Sequence, residues 1–318
     1  MIREFFIFEL REQLRSPLFW LIAGLFALLA FGAAGSDAVE LGGGIGNVYR
    51  NAPIVIVKWL GFFTLVGMLV ITIFISNALL RDFDYGIAEL FFASPIRKRD
   101  YLLGRIGAGL AASLLVYVII AIGIFIAQFM PWIDPVRLGP VSLKSYLWAF
   151  AVYVIPNLLF TGAVLALLAA TTRSVLWVYL GLIGFLVLYG VSAALLRDVD
   201  NVWIGTLLEP LGLRAFSHAT RYWSAEERNT GLPTLTGYIL ANRGLWTAVA
   251  LGLFAATFAA YKTQRTGTSR RRFGRKPVAA HAPVVAVPRT QVVVPRAAPV
   301  FSTAVAWQQF LRQLRFDT

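Results

Sequence analysis

The chain has 318 residues, of which 58% are apolar, 14% aromatic and only 14% charged. A soluble domain carries about 25% charged residues, so this composition excludes a soluble globule of this size and predicts a membrane protein. The lack of Cys excludes disulfides and thiolate chemistry, and the two His leave little room for a His-based metal or catalytic site.

Residues 1–16 are predicted to form an amphipathic helix that lies in the membrane interface. Phe6, Leu10 and Leu14 fall on one face and charged residues on the other, which is the pattern of interfacial helices. A cleaved signal peptide is the alternative, since residues 33–36 resemble a cleavage site. The long and partly acidic stretch before the first apolar segment argues against it.

Six segments follow that are apolar and long enough to cross a bilayer, for which about 20 residues suffice. They are residues 17–34, 54–80, 105–130, 147–171, 176–196 and 244–262, and none contains an acidic residue. The predicted fold class is therefore all-α, a polytopic membrane protein with a six-span domain over residues 17–262. Pro156 is expected to kink the fourth span, and Lys58 is expected to reach from the second span to the interface.

The distribution of basic residues predicts the orientation. Of the 29 Lys and Arg, 20 fall on the side of the N-terminus when the six spans alternate. Basic residues are retained on the cytoplasmic side, so we expect both ends of the chain and the 81–104 loop in the cytoplasm. The formal charge of +13 then indicates attraction to membrane lipids rather than to nucleic acid.

The 81–104 loop is amphipathic, whereas a simple connection is short and polar. Ile87, Leu90 and Phe91 have helical spacing, and Pro95 ends the run. Two interpretations remain open at this point: a short interfacial helix that ties two spans together, or a docking element for a soluble partner.

The loop 197–243 on the opposite side contains a short apolar run at 202–208 that Glu209 and Pro210 end. The run is too short to span a membrane and is typical of a re-entrant or interfacial segment. The rest of the loop is polar and aromatic and is expected to form a small outer cap.

The tail divides into two parts. Residues 263–300 form a linker that is first basic and then Pro-rich, and such a Pro-rich segment favours extended chain. Residues 301–318 regain helical spacing and repeat Gln-Leu-Arg of positions 13–15 at positions 313–315. We expect a second interfacial helix here, at the start of a second copy of the unit, which would make this chain a fragment.

The sequence offers no catalytic, cofactor or metal site. It contains neither the Gly-x-x-x-x-Gly-Lys-Ser/Thr motif of ATP-binding loops nor a His-Glu-x-x-His zinc motif. No charged residue is expected at mid-depth in any span, although proton-coupled transporters and ion channels commonly need one. Gly104 and Ala108, four residues apart, predict close helix packing.

The 81–104 motifs resemble the coupling-helix region of type-2 ABC transporter permeases. The chain reads Arg-Asp-x-x-x-Gly from Arg81, then Glu-Leu, then Ser-Pro-Ile from Ser94 and Tyr-Leu-Leu-Gly from Tyr101. Arg99 lies one place later than the usual basic position of that family. The interfacial helix, the six spans and the long last outer loop also resemble that family's plan.

The resemblance implies that residues 82–101 dock on a separate nucleotide-binding subunit, which would hold ATP and Mg²⁺. The residues expected at this contact are Asp82, Tyr85, Gly86, Glu89, Leu90, Pro95, Ile96, Arg97 and Arg99. The outer loop would gate the exit, with Trp203, Leu207 and Pro210 as gate candidates.

Three short motifs carry a narrower resemblance. They are the Gly-rich stretch 42–53, the basic run 97–99 before residues 100–105, and residues 219–223. Together they are similar to large bacterial permeases in which two six-span halves precede a C-terminal zinc aminopeptidase domain. This resemblance implies a place in the bacterial inner membrane and a missing second half.

The expected function is that of a permease subunit without enzymatic activity of its own. It would export an unknown substrate between two six-span units, the second being another copy or the missing half. The alternative is a membrane anchor or scaffold for a fused or partner peptidase. An intramembrane enzyme is disfavoured, because the spans lack acids, Cys and His.

Overall fold

The computed structural model describes residues 1–36, 47–86, 96–195 and 202–261, and these are helical without any strand. The helices are α1 (Ile2–Arg15), α2 (Pro17–Gly35), α3 (Pro53–Val66), α4 (Met68–Asp84), α5 (Lys98–Ala127), α6 (Leu143–Ala149), α7 (Ile155–Thr172), α8 (Val175–Leu195), α9 (Val202–Leu208), α10 (Leu213–Ala219), α11 (Ala225–Thr230) and α12 (Gly237–Ala260). A 3₁₀ turn (Pro135–Arg137) precedes α6, and a π-helical turn (Phe150–Val154) joins α6 to α7. The all-α prediction is confirmed for these ranges.

Five helices of the described chain are long and apolar enough to cross a membrane. They are α2, α5, the continuous helix of α6 and α7, α8 and α12. The pair α3 and α4 qualifies as one further span if its bend of 46° is accepted. The composition and the helices thus agree on a membrane-embedded protein.

The second predicted span is broken at Gly67, between α3 and α4. The hydroxyl of Tyr117 on α5 comes so close that a Cβ atom at position 67 would collide with it. The same hydroxyl donates to the carbonyl of Thr64 at 3.4 Å. Glycine lets the neighbouring helix approach at the bend, because it has no side chain.

Two further spans differ in detail from the sequence prediction. The irregularity expected at Pro156 takes the form of the π-helical turn directly before α7, a feature that absorbs a disrupted hydrogen-bond ladder. The third span begins at Lys98 rather than 105, so Arg105 lies inside a helix instead of flanking one. Lys58 is half-buried on α3.

The described helices pack around one large apolar core, and a small second cluster is formed by Phe160, Ala163 and Ala250. α4 lies between α5 and α7, α1 and α2 run along α5, and α12 runs along α7 with α9 and α10 against it. Among the five long apolar helices, α8 has the smallest share of buried residues. Its outward residues are apolar, as a face towards lipid requires: Leu176, Trp177, Ile183, Val187 and Leu188.

We call the end of the bundle that carries α9 to α11 the outer end. There Asn229 accepts a hydrogen bond from the backbone N–H of Tyr49 and donates one to the carbonyl of Asn47, both at 2.8 Å. Ser224 and Glu227 cap α11 reciprocally, and the backbone hydrogen bond to the Glu227 carboxylate lowers its pKa. In the described part of the loop for which a small cap was predicted, the structure has the three short helices α9 to α11.

Candidate functional site

Four charged side chains meet where the 81–104 loop joins the helices. Glu9 comes from α1, Arg81 and Asp82 from the end of α4, and Arg105 from α5. Glu9, Asp82 and Arg105 are no more than 1% exposed, and Arg81 is partly exposed. We call these four residues the root cluster, because both ends of the loop depart from it.

The root cluster is a chain of alternating charges. Glu9 Oε2 accepts hydrogen bonds from Arg81 Nη2 at 2.9 Å and from Arg105 Nη1 at 2.8 Å. Arg105 Nη2 donates to Asp82 Oδ2, and Arg105 Nη1 also donates to the carbonyl of Ala78 at 3.1 Å. Two acids thereby balance two bases, which is the condition under which buried charges are tolerated.

Neutral side chains complete the cluster. Gln13 Nε2 donates to Glu9 Oε1 at 3.0 Å and to the carbonyl of Phe74 at 3.3 Å. The Tyr101 hydroxyl donates to Asp82 Oδ2 at 2.9 Å. The cluster therefore ties α1, α4 and α5 together through polar contacts on both sides of the ion pairs.

Burial opposes the ionisation of the Glu9 carboxyl. It raises the pKa of Glu9 above its ordinary value of 4.5, and the guanidinium groups of Arg105 and Arg81 oppose that rise without cancelling it. Desolvation of the carboxylate thus outweighs its attraction to the two cations. We conclude that the cluster fixes the positions of the helices rather than adding much net stability.

α1 lies against α5 through a close approach at Gly104. A Cβ atom at this position would lie 2.5 Å from Phe5 Cβ and 3.0 Å from the carbonyl oxygen of Ile2. The Phe5 ring meets the Tyr101 ring edge-on, with centroids 5.7 Å apart. The close packing predicted at Gly104 is therefore confirmed.

The face of α1 turned to α5 combines the expected apolar residues with polar ones. Leu10 and Leu14 pack against the core as expected, and the fully buried residues beside them are the polar Glu9 and Gln13. The partners of Glu9 lie 72 and 96 positions further along the chain, so no local pattern reveals this polar contact.

The last helix reaches the same region through aromatic contacts. The Arg173 guanidinium lies over the Phe83 ring at 4.7 Å and near the Tyr261 ring at 6.0 Å. The rings of Tyr261 and Tyr101 are 6.1 Å apart, and burial raises the pKa of Tyr261 to about 12. The ends of α4, α5, α7 and α12 thus converge beside the root cluster.

The structure divides the predicted docking residues into two groups. Asp82 is buried and belongs to the root cluster, so it supports the loop and does not lie on a surface that a partner can contact. Tyr85 is 74% exposed, Gly86 has a positive φ of 70°, and Arg97 is exposed.

Of the remaining predicted docking residues, the structure describes Arg99 and Ile96. Arg99 is exposed beside Asp100, with Nε 3.8 Å from Oδ1, and Ile96 is partly buried. Glu89, Leu90 and Pro95 lie outside the described residues, as does the helical spacing of 87–91.

At the outer end, we call residues 206–212 the outer turn; they comprise the last residues of α9 and the turn that leads to α10. Six of its seven carbonyls accept hydrogen bonds from side chains of the spans. The pairs are Thr206 with Asn242 at 2.6 Å, Leu207 with Trp246 at 2.9 Å, Glu209 with Asn242 at 2.8 Å, Pro210 with Arg243 at 2.9 Å, Leu211 with Asn157 at 3.2 Å and Gly212 with Tyr153 at 3.1 Å. The turn is therefore held by α7, α12 and the π-helical turn.

The predicted gate candidates occupy different environments. The carbonyls of Leu207 and Pro210 are held by α12, as above. Trp203 is 46% exposed and packs against Tyr238, with ring centroids 4.9 Å apart. Leu207 and Pro210 thus belong to the outer turn, which is held against the spans, whereas Trp203 is partly exposed.

The residues that hold the outer turn were not predicted from the sequence. Asn242 and Arg243 lie just outside the predicted sixth span, 244–262, whereas Asn157 lies inside the predicted fourth span, 147–171. A polar residue inside an apolar span is itself a signal of function, and that signal is present in the sequence at Asn157.

No group of three or more His, Asp or Glu side chains that could hold a metal occurs among the described residues. No model of a known protein family matches the chain, and no curated protein matches it.

Proposed function

We propose that the chain is the transmembrane permease subunit of an ATP-driven exporter of the type-2 ABC kind. A separate nucleotide-binding subunit would bind ATP and Mg²⁺ and dock on the 81–104 loop. Two six-span units, from a second copy or a second half of the same protein, would form the pathway in the bacterial inner membrane. In this proposal α3 and α4 count as one broken span.

The root cluster is the observation that supports this proposal most strongly. An ordinary connecting loop needs no buried ion pairs at its base, because water forms hydrogen bonds with the polar groups at its ends. Here three fully buried charges fix both ends of the loop to three helices. A force that a partner applies to a loop anchored in this way would be transmitted directly to α1, α4 and α5.

The charge of the exposed docking residues suits an acidic surface on the partner. Arg97 and Arg99 lie just before α5 and in its first turn, and both are exposed. Basic residues at the rim of an interface steer association and add modest affinity. The partner face would therefore carry acidic residues.

The test uses the full chain, tagged and purified from its native membranes. Hydrolysis of Mg-ATP is measured, and mass spectrometry identifies any copurified subunit that carries an ATP-binding loop. We expect copurified ATPase activity that falls about three- to tenfold in Arg97→Ala/Arg99→Ala. Lys144→Ala removes an exposed charge at the outer end and serves as the matched control.

Absence of an ATPase subunit, or unchanged activity in the double variant, would contradict the proposal. A copurified peptidase without an ATPase would favour the scaffold alternative instead.

A further inference from the structure

We infer that Arg243 is a positioning residue that latches the outer turn shut, and that the broken span connects this latch to the root cluster. The role of the latch as an exit gate rests on the proposed function. The latch itself rests only on contacts within the chain, so it can be tested without nucleotide.

Arg243 is the centre of the contacts that hold the outer turn. Its Nη2 donates to the carbonyl of Pro210, its Nη1 to Asn157 Oδ1 at 2.8 Å and its Nε to Asn242 Oδ1 at 2.9 Å. Its guanidinium carbon also lies 5.7 Å from the centre of the Tyr153 ring. One buried side chain thus orients both asparagines that hold the turn.

The turn is shaped around this guanidinium. Gly212 has φ of 78°, in the region that favours glycine. A Cβ atom there would collide with the Arg243 guanidinium. The backbone of the turn therefore lies directly against the charged group, with no space for a side chain between them.

Glu209 holds the turn from the opposite direction. Its carboxylate accepts from the Tyr189 hydroxyl at 2.9 Å and from the backbone N–H groups of Leu211 at 3.0 Å and Arg214 at 3.1 Å. The two backbone contacts keep the turn compact, whereas the contact with Tyr189 on α8, like those of Arg243, attaches the turn to the spans. The turn would therefore stay compact when its attachments to the spans break.

The acceptors of Arg243 suit a contact that opens and closes. All three are neutral amide or carbonyl oxygens. When a salt bridge breaks, a buried carboxylate is left unpaired at high cost. Breaking hydrogen bonds between a cation and neutral oxygens costs less than breaking a buried ion pair, so this arrangement is better suited to a movable latch than the root cluster is.

Asn157 connects the latch to the broken span. Besides holding the carbonyl of Leu211, its Nδ2 donates to Thr64 Oγ1 at 2.9 Å. Thr64 lies on α3, three residues before the bend at Gly67, and α4 continues from the bend to Asp82. A tilt of α4 at the root cluster would therefore alter the bend and pull on Asn157.

The latch is tested by cysteine labelling, because the chain contains no Cys of its own. Leu211 is fully buried in the outer turn, so Leu211→Cys reports opening through its rate of alkylation by a water-soluble maleimide. The full chain is labelled in lipid nanodiscs without nucleotide. Ala108→Cys, at a fully buried position on α5, reports general loosening.

Adding Arg243→Ala is expected to raise the Leu211→Cys rate about tenfold or more, because three buried acceptors lose their donor. Arg243→Lys keeps the charge without the planar fork and should restore the slow rate only in part. Arg221→Ala removes an exposed arginine from the outer end and should leave the rate unchanged. An unchanged rate in Arg243→Ala would overturn the inference.

If Arg243→Ala also speeds labelling of Ala108→Cys, that variant has loosened the whole fold. The latch is then tested with Tyr153→Phe in place of Arg243→Ala. That variant removes only the hydroxyl that holds the Gly212 carbonyl. Faster labelling of Leu211→Cys alone, by about threefold, would support the latch. No change would overturn it, whatever the result of the ATPase experiment.

Discussion

The root cluster and the outer turn stabilise their buried charges in different ways. The root cluster pairs two acids with two bases inside the protein, so each charge depends on another charge. The outer turn surrounds one buried cation with neutral oxygens and uses its own carboxylate to cap backbone N–H groups. The first arrangement resists being taken apart, whereas the second can open.

The difference suits the places that the two regions occupy. The root cluster lies where α1, α4 and α5 meet, and a balanced ion network keeps helices in one arrangement. The outer turn lies against α7, α12 and the π-helical turn, where the proposed pathway would open. The broken span α3–α4 touches both, through Asp82 at one end and Thr64 near the bend.

The largest effect is expected from Arg105→Ala. It leaves Glu9 and Asp82 buried without their common partner, which costs about 3–5 kcal/mol in comparable cases. Thermal unfolding of the purified chain in detergent should show a markedly lower midpoint. Arg99→Ala, an exposed arginine near the same helix end, should change the midpoint little.

Gly104→Ala should have the next largest effect. The new Cβ atom meets the backbone of α1 as well as Phe5, and overpacking of this kind costs about 1–3 kcal/mol. Proteolysis should then cleave α1 faster than in the parent chain. Gly24→Ala is the control, because a Cβ atom at 24 has nothing within 4 Å; equal protection in both variants would show that α1 is not held at Gly104.

Glu9→Gln should have the smallest effect of the three, despite its place in the root cluster. Because burial raises the pKa of Glu9 in the folded state, the folded protein binds the proton more tightly than the unfolded chain. The stability of the parent should therefore fall as the pH rises from the ordinary value of 4.5 through the raised pKa, and then level off.

Gln mimics the protonated form, so the variant should lack this slope and should be no less stable than the parent at neutral pH. Unfolding midpoints of both proteins across the acidic and neutral range check this. A parent that gains stability over the same rise in pH would contradict the account of Glu9.

The helices were predictable from the sequence, because hydropathy over 20 residues is a local property. The first and fifth predicted spans, 17–34 and 176–196, nearly coincide with α2 and α8. The break at Gly67 was not predicted, since its cause is a tyrosine on another helix. The early start of α5 was missed because Arg105 finds its acids only after folding.

The site was predictable only in its position along the chain. Motifs pointed to the 81–104 loop, but not to the buried side chains that hold its ends. Asp82 was expected on a docking surface, whereas it is buried and accepts hydrogen bonds from Arg105 and Tyr101. At the outer end the turn after 208 was marked by Glu209 and Pro210, while the residues that hold it come from distant spans.

We propose that a push on the 81–104 loop reaches the outer turn through the spans. The most direct measurement is the alkylation rate of Leu211→Cys in a purified complex with the proposed ATPase subunit, with and without Mg-ATP. The account predicts that Mg-ATP raises the rate, and that Arg97→Ala/Arg99→Ala abolishes the rise while leaving the nucleotide-free rate unchanged. A rate that does not respond to Mg-ATP in an active complex would contradict it.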